Sequence, residues 1–324
     1  MRLGFAVKVL GGGGLPSHDT RRWQSDPSLG VSLERLAAIL EYCADHEIGM
    51  YRMATGLAPY ASHPDLPQFR DAPARFAEQL AEVGARAREI GVRLSTHPGQ
   101  YTVLNSEDAR VRELAAVELE VQAELMDGMG LGPEAVVILH VGGAAGGRDA
   151  AFDRFEEGFA TLSDAARGRL VIENDDRTFS LTDVLELSRR IGRPVVWDIL
   201  HHHCNDPDRI DDREALQMAL ATWPDGVTPK IHYSSPKTAL EEQVKKVGRR
   251  VERRPVLPQL RAHADMIDPI GFEHFVTETA AGLDFDIMLE AKGKDLALLA
   301  LRERLEARGV VLQRGVGAGA PARS

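Results

Sequence analysis

Short apolar runs alternate with longer amphipathic stretches along almost the whole chain. The short runs are rich in valine, isoleucine and leucine, as buried parallel strands are, and the longer stretches repeat apolar residues at helical spacing. This alternation is typical of successive β-α units around a parallel sheet, and eight such units can be counted. The predicted strands are residues 3–9, 49–53, 92–97, 135–140, 170–173, 195–198, 230–234 and 286–290.

Amphipathic segments between these strands predict the helices that cover the sheet. They are residues 33–46, 75–90, 108–129, 152–164, 182–191, 213–223, 271–281 and 294–308. Gly91, Gly192 and Gly282 each stand where such a helix should end before the next strand. We therefore predict an α/β fold, a (β/α)8 TIM barrel that forms a single catalytic domain over residues 1–310, with its active site at the C-terminal rim of the strands.

Two segments interrupt this rhythm. Residues 10–29 are rich in Gly, Pro and Ser and predict a long loop on the active-site rim. Residues 236–270 interrupt the seventh unit with a basic cluster, which is either a footprint for a phosphate backbone or a solvated helix face with ordinary ion pairs. The cluster comprises Lys237, Lys245, Lys246, Arg249, Arg250, Arg253, Arg254 and Arg261. Residues 311–324 have the composition of a disordered tail.

Composition narrows the class of protein. The 324 residues are 44% hydrophobic, which is enough for one large core, and the formal charge of −10 argues against a protein that coats nucleic acid indiscriminately. No apolar run approaches the roughly 20 residues that span a bilayer, and the N-terminus lacks a secretion signal. We expect a cytoplasmic protein without a membrane partner, in which Cys43 and Cys204 remain thiols.

Side chains that can bind metal ions stand at or just beyond the ends of the predicted strands. They are His63, His97, His140, Glu173, Asp198, His201, His232 and Glu290. Each alone has an ordinary explanation, since a lone histidine is usually a satisfied side chain and an acidic residue after a strand is often a helix cap. A barrel brings all these positions to one opening, where unpaired buried carboxylates would each cost several kcal/mol.

Nitrogen and oxygen donors without a thiolate suit Mn²⁺ or Zn²⁺, and this set is too large for a single ion. We therefore predict two or three divalent cations, with Mn²⁺ favoured and Zn²⁺ or Mg²⁺ as alternatives. A carboxylate that bridges two cations about 3.5 to 4 Å apart is the usual apparatus for phosphodiester hydrolysis.

The motifs that hold these residues resemble those of a known family. They are Ala-Ser-His-Pro at 61–64, His-Pro-Gly-Gln-Tyr at 97–101, Leu-His-Val-Gly-Gly at 139–143, Ile-Glu-Asn-Asp at 172–175, Asp-Ile-Leu-His-His at 198–202, Lys-Ile-His at 230–232, Ala-His-Ala at 262–264 and Glu-Ala-Lys-Gly-Lys at 290–294. In this order the motifs resemble those of the UV damage endonucleases, which are TIM-barrel DNA repair enzymes. The resemblance extends from the first strand to about residue 295.

The resemblance implies a ligand set and catalytic residues. The implied metal ligands are His63, His97, His140, Glu173, Asp198, His201, His232, His263 and Glu290, with Glu173 as the bridge. His263 enters only through the resemblance, because it lies in the insertion. The implied catalytic residues are Glu173, Lys230 and His232. In the family the lysine corresponding to Lys230 is carboxylated near the metals; the alternative is an ordinary ammonium group that binds phosphate.

The resemblance also implies how damage is recognised. Gln100 and Tyr101 resemble the pair that the family inserts into the duplex at the lesion, where an aromatic ring can stack on exposed bases. Without the resemblance, Tyr101 would be an ordinary rim aromatic. Phe5 and Val9 depart from the tyrosine and asparagine of relatives, so the polar groups of those side chains are absent here. The predicted DNA-contacting residues are Gln100, Tyr101, Phe5, Arg249, Arg250 and Arg253.

The predicted activity is an ATP-independent endonuclease that nicks damaged double-stranded DNA. It would cut 5′ of UV photolesions and similar distortions, leaving a 3′-hydroxyl and a 5′-phosphate, with no nucleotide cofactor and no obligate protein partner. Three alternatives remain open. They are an abasic-site endonuclease, a sugar isomerase or epimerase on the same barrel, and a damage-binding module whose metals only support the fold.

Overall fold

Eight parallel strands occupy the positions that the apolar runs predict. The computed structural model describes residues 1–247 and 250–312 of the protein. The parallel strands are β1 (Leu3–Ala6), β2 (Met50–Arg52), β3 (Arg93–Ser95), β4 (Val137–His140), β5 (Leu170–Glu173), β6 (Val195–Val196), β7 (Lys230–Tyr233) and β10 (Asp286–Leu289), with β8 (Glu241–Val247) and β9 (Arg250–Val256) inserted between the last two. Each predicted strand contains its observed counterpart.

Hydrogen bonding divides the eight strands into two sheets. One has the order β3-β2-β1-β10-β7 and the other has the order β4-β5-β6. Single parallel bridges join the two sheets at both seams, between Thr96 and Val137 and between Asp198 and His232. The predicted α/β class with TIM-barrel strand order is therefore present, but the strands form two curled sheets in place of one continuous eight-stranded wall.

Helices follow the strands as predicted. They are α1 (Leu29–Asp45), α2 (Ala72–Arg75), α3 (Ala77–Glu89), α4 (Ala109–Gly128), α5 (Arg148–Ala160), α6 (Asp164–Arg169), α7 (Leu181–Ile191), α8 (Ile199–Cys204), α9 (Asp212–Leu220), α10 (Pro269–His274) and α11 (Lys294–Ala307). A π-helix at Phe275–Thr279 continues α10. Residues 10–28 contain one 3-10 turn and otherwise form the predicted loop.

Local sequence signals explain where helix α7 begins and ends. Ser180 caps its first turn: the hydroxyl accepts from the Asp183 N–H, and the Asp183 carboxylate accepts from the Ser180 N–H. The helix ends at Gly192, whose φ of 64° is in the left-handed region that favours glycine. Gly91 and Gly282 have the same conformation, which confirms the three predicted stops.

The insertion in the seventh unit forms an antiparallel hairpin. Strands β8 and β9 pair from Glu241 opposite Val256 to Val247 opposite Arg250. The alternative of a solvated helix face is therefore wrong for the described part of this segment. Arg249 and Gly248 lie outside the described residues, as does the predicted tail from residue 313 onward.

A buried ion-pair cluster closes the end of the sheet where the strands begin. Asp286 starts β10, and its Oδ2 accepts from Arg2 Nη2 at 2.6 Å and from Arg93 Nη1 at 3.0 Å. The Asp286 and Arg93 side chains are almost completely buried. This cluster lies at the opposite end of the strands from the predicted site. Within the described ranges, no helix has the length and apolar character needed to cross a membrane.

Candidate metal centre

Imidazole and carboxylate groups meet where the parallel strands end. Among the residues that the structure describes, four groups of three donors have ligand atoms within 4.8 Å of one another. They are His97, His232 and Glu290; His97, His140 and Glu173; Asp198, His201 and His263; and Glu173, Asp198 and His232. Eight of the nine ligands implied by the resemblance are therefore brought together, although about 190 positions separate the first from the last in the chain.

Glu173 stands at the centre of this cluster. Its Oε2 lies 2.8 Å from His97 Nε2 and 3.7 Å from His140 Nε2. Its Oε1 lies 2.8 Å from His232 Nδ1 and 3.6 Å from His201 Nδ1. Each carboxylate oxygen thus faces a different histidine pair, which is the arrangement expected of a bridging ligand.

The remaining donors extend the cluster to one side. Glu290 Oε1 lies 3.5 Å from His232 Nδ1, and Glu290 Oε2 lies 3.6 Å from His263 Nδ1. Asp198 Oδ2 lies 3.9 Å from His201 Nδ1, because Asp198 caps the helix α8 that carries His201. The sequence placed His201 just beyond the sixth strand, and the short helix that positions it was not predicted.

His63 is the predicted ligand that the cluster does not include. It lies exposed in the loop after β2, with its ring centroid 6.1 Å from that of Tyr60, and it belongs to none of the four donor groups. Its role as a ligand remains a prediction.

Burial and neighbouring charges set the protonation of the central donors. Burial raises the pKa of Glu173, but its electrostatic interactions with the surrounding His232, His140 and His97 outweigh burial and hold that pKa well below its ordinary value. Burial lowers the pKa of His97 to about 4. At neutral pH the cluster therefore presents an ionised carboxylate beside a neutral imidazole.

The contact between His97 and Glu173 fits a bound cation. His97 Nδ1 lies 3.1 Å from the Pro98 carbonyl oxygen, and in the tautomer that donates its ring proton to this carbonyl the Nε2 lone pair faces the Glu173 carboxylate. Two electron-rich atoms at 2.8 Å repel each other unless a positive charge is shared between them. A divalent cation that contacts both groups would remove this repulsion.

Several buried polar atoms in the cluster also lack hydrogen-bond partners within residues 1–247 and 250–312. They are His140 Nδ1, Asp198 Oδ2 and His232 Nε2. A buried polar atom without a partner costs about 1 to 3 kcal/mol, and metal coordination can offset that cost. Together with a donor set of only nitrogen and oxygen atoms, these unpartnered atoms fit divalent cations.

Lys230 begins β7, the strand that also carries His232. Its side chain is completely buried and Nζ donates to Ser95 Oγ at 2.7 Å. Burial lowers the pKa of Lys230 well below its ordinary value, and the charges of Arg93 and Arg52 act in the same direction. Complete burial disfavours the interpretation of Lys230 as an ammonium group that contacts a DNA phosphate, and its carboxylation remains a prediction.

The residues predicted to meet the lesion fall into two classes. Gln100 and Tyr101 lie on an exposed turn after β3, with 84% of Tyr101 accessible. Gln100 lines a cleft of about 350 Å³ together with His140 and His201. Phe5 is different: it is completely buried, with its ring centroid 5.3 Å from that of Tyr51. The expectation that Phe5 contacts DNA is therefore wrong, because alternation along β1 turns this side chain into the core.

The hairpin carries the predicted basic residues into solvent. Arg250 and Arg253 are exposed, and Arg253 Nη1 pairs with Glu242 Oε2 at 2.8 Å. The base of the hairpin is joined to the donor cluster through the antiparallel bridge between Pro236 and His263. The hairpin therefore begins beside the donor cluster, although Arg250 stands at its far end.

Two residues that support the donors were not identified from the sequence. Arg52 forms an ion pair with Glu290, and the Asn174 side chain bonds both the backbone N–H and the carbonyl of Asp198. Both stand at strand ends, as the donors do, because Arg52 ends β2 and Asn174 follows Glu173. That position was the signal that could have identified them.

The parallel α/β fold and the donor cluster at its strand ends define a protein of the TIM-barrel type with a candidate metal centre. The model of the UV-endonuclease UvdE family matches residues 29–315, and the chain belongs to this family. This confirms the resemblance drawn from the motifs.

Relatives and solved structures agree with this assignment. The chain is 33% identical to the UV DNA damage endonuclease of Bacillus velezensis over 298 residues, covering 90% of this chain and 87% of the relative. The crystal structure of SacUVDE matches with a TM-score of 0.78 at 31% identity, covering 96% of this chain and 100% of that one. The 3-keto-D-glucoside 4-epimerase YcjR from E. coli matches with a TM-score of 0.56 at 11% identity over 95% of this chain and 98% of that one, which shows a similar fold only.

Proposed function

We propose that this protein is a metal-dependent DNA repair endonuclease that nicks damaged double-stranded DNA 5′ of UV photolesions and similar distortions. The nick would leave a 3′-hydroxyl and a 5′-phosphate. The observation that carries the proposal is the position of Glu173, whose two oxygens each face a separate histidine pair in a buried cluster. Membership of the UV-endonuclease family supports the choice of DNA as substrate.

Two or three divalent cations, with Mn²⁺ favoured over Zn²⁺ or Mg²⁺, would be held by this cluster. The proposed ligands are His97, His140, Glu173, Asp198, His201, His232, His263 and Glu290, with His63 added from the exposed loop. When bound, such cations stabilise the negative charge that develops on the phosphodiester oxygens.

The residues of the chain prepare the cluster for this task. Glu173 holds the two histidine pairs together as an ionised bridge, and His232 keeps one ring nitrogen toward it. Asn174 fixes the backbone of Asp198 through two hydrogen bonds, while Arg52 balances the charge of Glu290. Lys230 anchors the strand that carries His232 through its bond to Ser95. The donors are thereby held in place before a substrate arrives.

Damage recognition would depend on the deformability of the duplex. A damaged step opens at lower cost than an intact one, and the exposed Tyr101 and Gln100 stand beside the cleft where displaced bases could be met. Arg250 and Arg253, with Arg249 beside them in sequence, would bind the phosphate backbone.

The proposal includes the organisation of the chain. The eight parallel strands would act as one closed barrel in a single domain, with the hairpin as its basic insertion, and the bridges at both seams support closure. No nucleotide cofactor and no obligate protein partner are required by this chemistry, and a DNA substrate is consistent with a cytoplasmic enzyme.

The test is a nicking assay on irradiated and intact duplexes with protein loaded with Mn²⁺. We expect nicking of the irradiated duplex only, and a loss of about 10³-fold or more in Glu173→Gln because the bridge is neutralised. Glu82→Gln, at an exposed position on α3, is the matched control and should retain activity. An oligonucleotide with one abasic site distinguishes the abasic-site alternative. Absence of nicking with Mn²⁺, Zn²⁺ and Mg²⁺ would overturn the proposal.

A further inference from the structure

A basic cleft of about 340 Å³ lies beside the candidate metal centre. It is lined by Arg52, Arg261, His263, Glu290, Lys292 and Lys294. His263 and Glu290 also belong to the donor groups, so the cleft and the metal centre share a wall. Four cationic side chains thus gather at one place in a protein whose formal charge is −10.

The acidic groups near this cleft do not balance its positive charge. Glu290 is paired with Arg52, and Arg261 lies 3.5 Å from an Asp176 oxygen. Lys292 and Lys294 form no ion pair with any carboxylate of the described residues. Burial lowers the pKa of Lys294, the charges of Arg52 and Lys8 act in the same direction, and the charge of Glu290 opposes them. An anion bound in the cleft would therefore meet Lys292 and Lys294 without a competing ion pair among the described residues.

The fold holds Lys294 at a fixed place in this cleft. The residue is half-buried and opens helix α11 with a φ of 50°, in the left-handed region that side chains rarely adopt. The next residue, Asp295, is completely buried and accepts from the Leu10 N–H at 2.7 Å, the Gly11 N–H at 2.9 Å and the Tyr42 hydroxyl at 2.7 Å. These bonds fasten the first turn of α11 to the loop after β1, so Lys294 is positioned by the core rather than by a mobile segment.

We propose that this cleft is a phosphate subsite that binds a non-scissile phosphodiester of the DNA strand that is cut. Lys294 would be its principal contact, with Lys292 and Arg261 at its edge. The inference rests on the proposed function, because it takes the DNA strand as the ligand. A phosphate held beside Glu290 and His263 would fix the register of the strand, and the neighbouring phosphodiester would then lie over the donor cluster.

The direct test is phosphate interference combined with a substitution. Single phosphates near the nick site are replaced with neutral methylphosphonates, and binding of the irradiated duplex to metal-loaded protein is measured. For the wild-type protein, a methylphosphonate at one position that flanks the nick site should weaken binding about tenfold. Lys294→Gln should bind the unmodified duplex about tenfold more weakly and show no further weakening at that position, because both changes remove the same contact.

Two variants show that the effect belongs to this cleft. Lys294→Arg keeps the charge and should restore most of the affinity. Arg189→Gln removes an exposed charge from the last turn of α7, far from the strand ends that carry the donors, and should behave as wild type at every position. If the losses in binding free energy caused by Lys294→Gln and by the methylphosphonate add at every position, the proposal of a phosphate subsite is overturned. The proposed function is not affected by that result.

A second readout separates failure of the subsite from failure of the proposed function. Inorganic sulfate, a tetrahedral dianion, is titrated into metal-loaded protein and the thermal midpoint is followed. It should raise the midpoint of the wild-type protein and of Arg189→Gln by about 2 °C more than that of Lys294→Gln. If wild-type protein neither nicks nor binds DNA but shows this difference, the anion subsite stands without the nuclease. Equal shifts in all three proteins overturn it.

Discussion

His232 Nδ1 lies 2.8 Å from Glu173 Oε1, and the other ring nitrogen of His232 is buried without a hydrogen-bond partner. This pair is completely enclosed by protein. A buried imidazole nitrogen without a partner is costly unless that nitrogen binds something. We therefore expect the stability of the protein to depend on the occupancy of the candidate metal centre.

Removal of metal should lower the thermal stability of the protein. A ligand at 100 times its dissociation constant stabilises the folded state by about 2.7 kcal/mol, which in a domain of this size raises the thermal midpoint by roughly 4 °C. We expect chelation to lower the thermal midpoint by this amount and Mn²⁺ to restore it, measured by differential scanning fluorimetry. Glu173→Gln should show a much smaller response. An identical midpoint with and without metal would contradict this account.

Arg52 should control the metal affinity of Glu290. Burial raises the pKa of Glu290, and the charge of Arg52 is the largest influence that keeps it well below its ordinary value. In Arg52→Gln the pKa of Glu290 rises, so protons compete with metal at higher pH. We expect Mn²⁺ to bind about 10 to 100-fold more weakly, with the pH midpoint of binding shifted upward. Isothermal titration across pH measures both effects.

The control for this prediction keeps the charge at position 52. Arg52→Lys should recover part of the affinity and return the pH midpoint toward that of the wild-type protein. An unchanged pH midpoint in Arg52→Gln would show that Arg52 does not act through Glu290.

The cluster of Asp286, Arg2 and Arg93 should make stability depend on pH. Burial raises the pKa of Asp286, but hydrogen bonds and charge from Arg2, together with the charge of Arg93, hold it below its ordinary value. The stabilisation is therefore fully present above about pH 4, the ordinary pKa, and is lost as pH falls through the lower pKa of the folded state. We expect Asp286→Asn to cost about 3 to 5 kcal/mol at pH 7, because Arg93 remains buried without its partner.

Urea unfolding at pH 7 and at decreasing pH measures this cost. The difference between Asp286→Asn and wild type should shrink only when the pH falls below about 4. Asp284→Asn is the matched control, since the Asp284 side chain is 88% exposed and lies 3.8 Å from the N-terminal ammonium. A cost for Asp286→Asn that is the same at every pH would contradict the assigned pKa direction.

The hairpin arginines should contribute unequally to DNA binding. Arg253 is already paired with Glu242, whereas Arg250 has no ion pair among the described residues. We therefore expect Arg250→Gln to weaken duplex binding more than Arg253→Gln. Removing one arginine that binds a phosphate should also reduce, by about one, the slope of the logarithm of the binding constant against the logarithm of the salt concentration. Binding is measured by fluorescence anisotropy at several salt concentrations. Equal affinity for the wild-type protein and Arg250→Gln would show that Arg250 of the hairpin does not contact the DNA.

Much of the candidate site could be predicted from the sequence, because the topology of a barrel places the ends of all its parallel strands close together. A residue at the end of a parallel strand must lie on one rim, so Glu173 and His232 could be placed together from apolar runs alone. His263 could not, because it lies in an insertion whose path no strand pattern fixes; only the resemblance supplied it.

Other features depend on three-dimensional packing that the pattern does not encode. The hairpin carries a few valines among charged residues without a period of two, and such a pattern does not separate a hairpin from a solvated helix. The burial of Phe5 depends on which face of β1 meets the helices. The ion pair between Arg52 and Glu290 could be predicted only with the knowledge that β2 and β10 lie on either side of β1. These are tertiary relationships between segments distant in sequence.

The metal content of the purified protein tests the central claim most directly. After dialysis against buffer with Mn²⁺ and removal of free ions, inductively coupled plasma mass spectrometry should find two or three divalent ions per chain. Glu173→Gln should lose at least one of them, and Glu82→Gln should lose none. Less than one ion per wild-type chain, or the same content in Glu173→Gln, would contradict a metal centre built around Glu173.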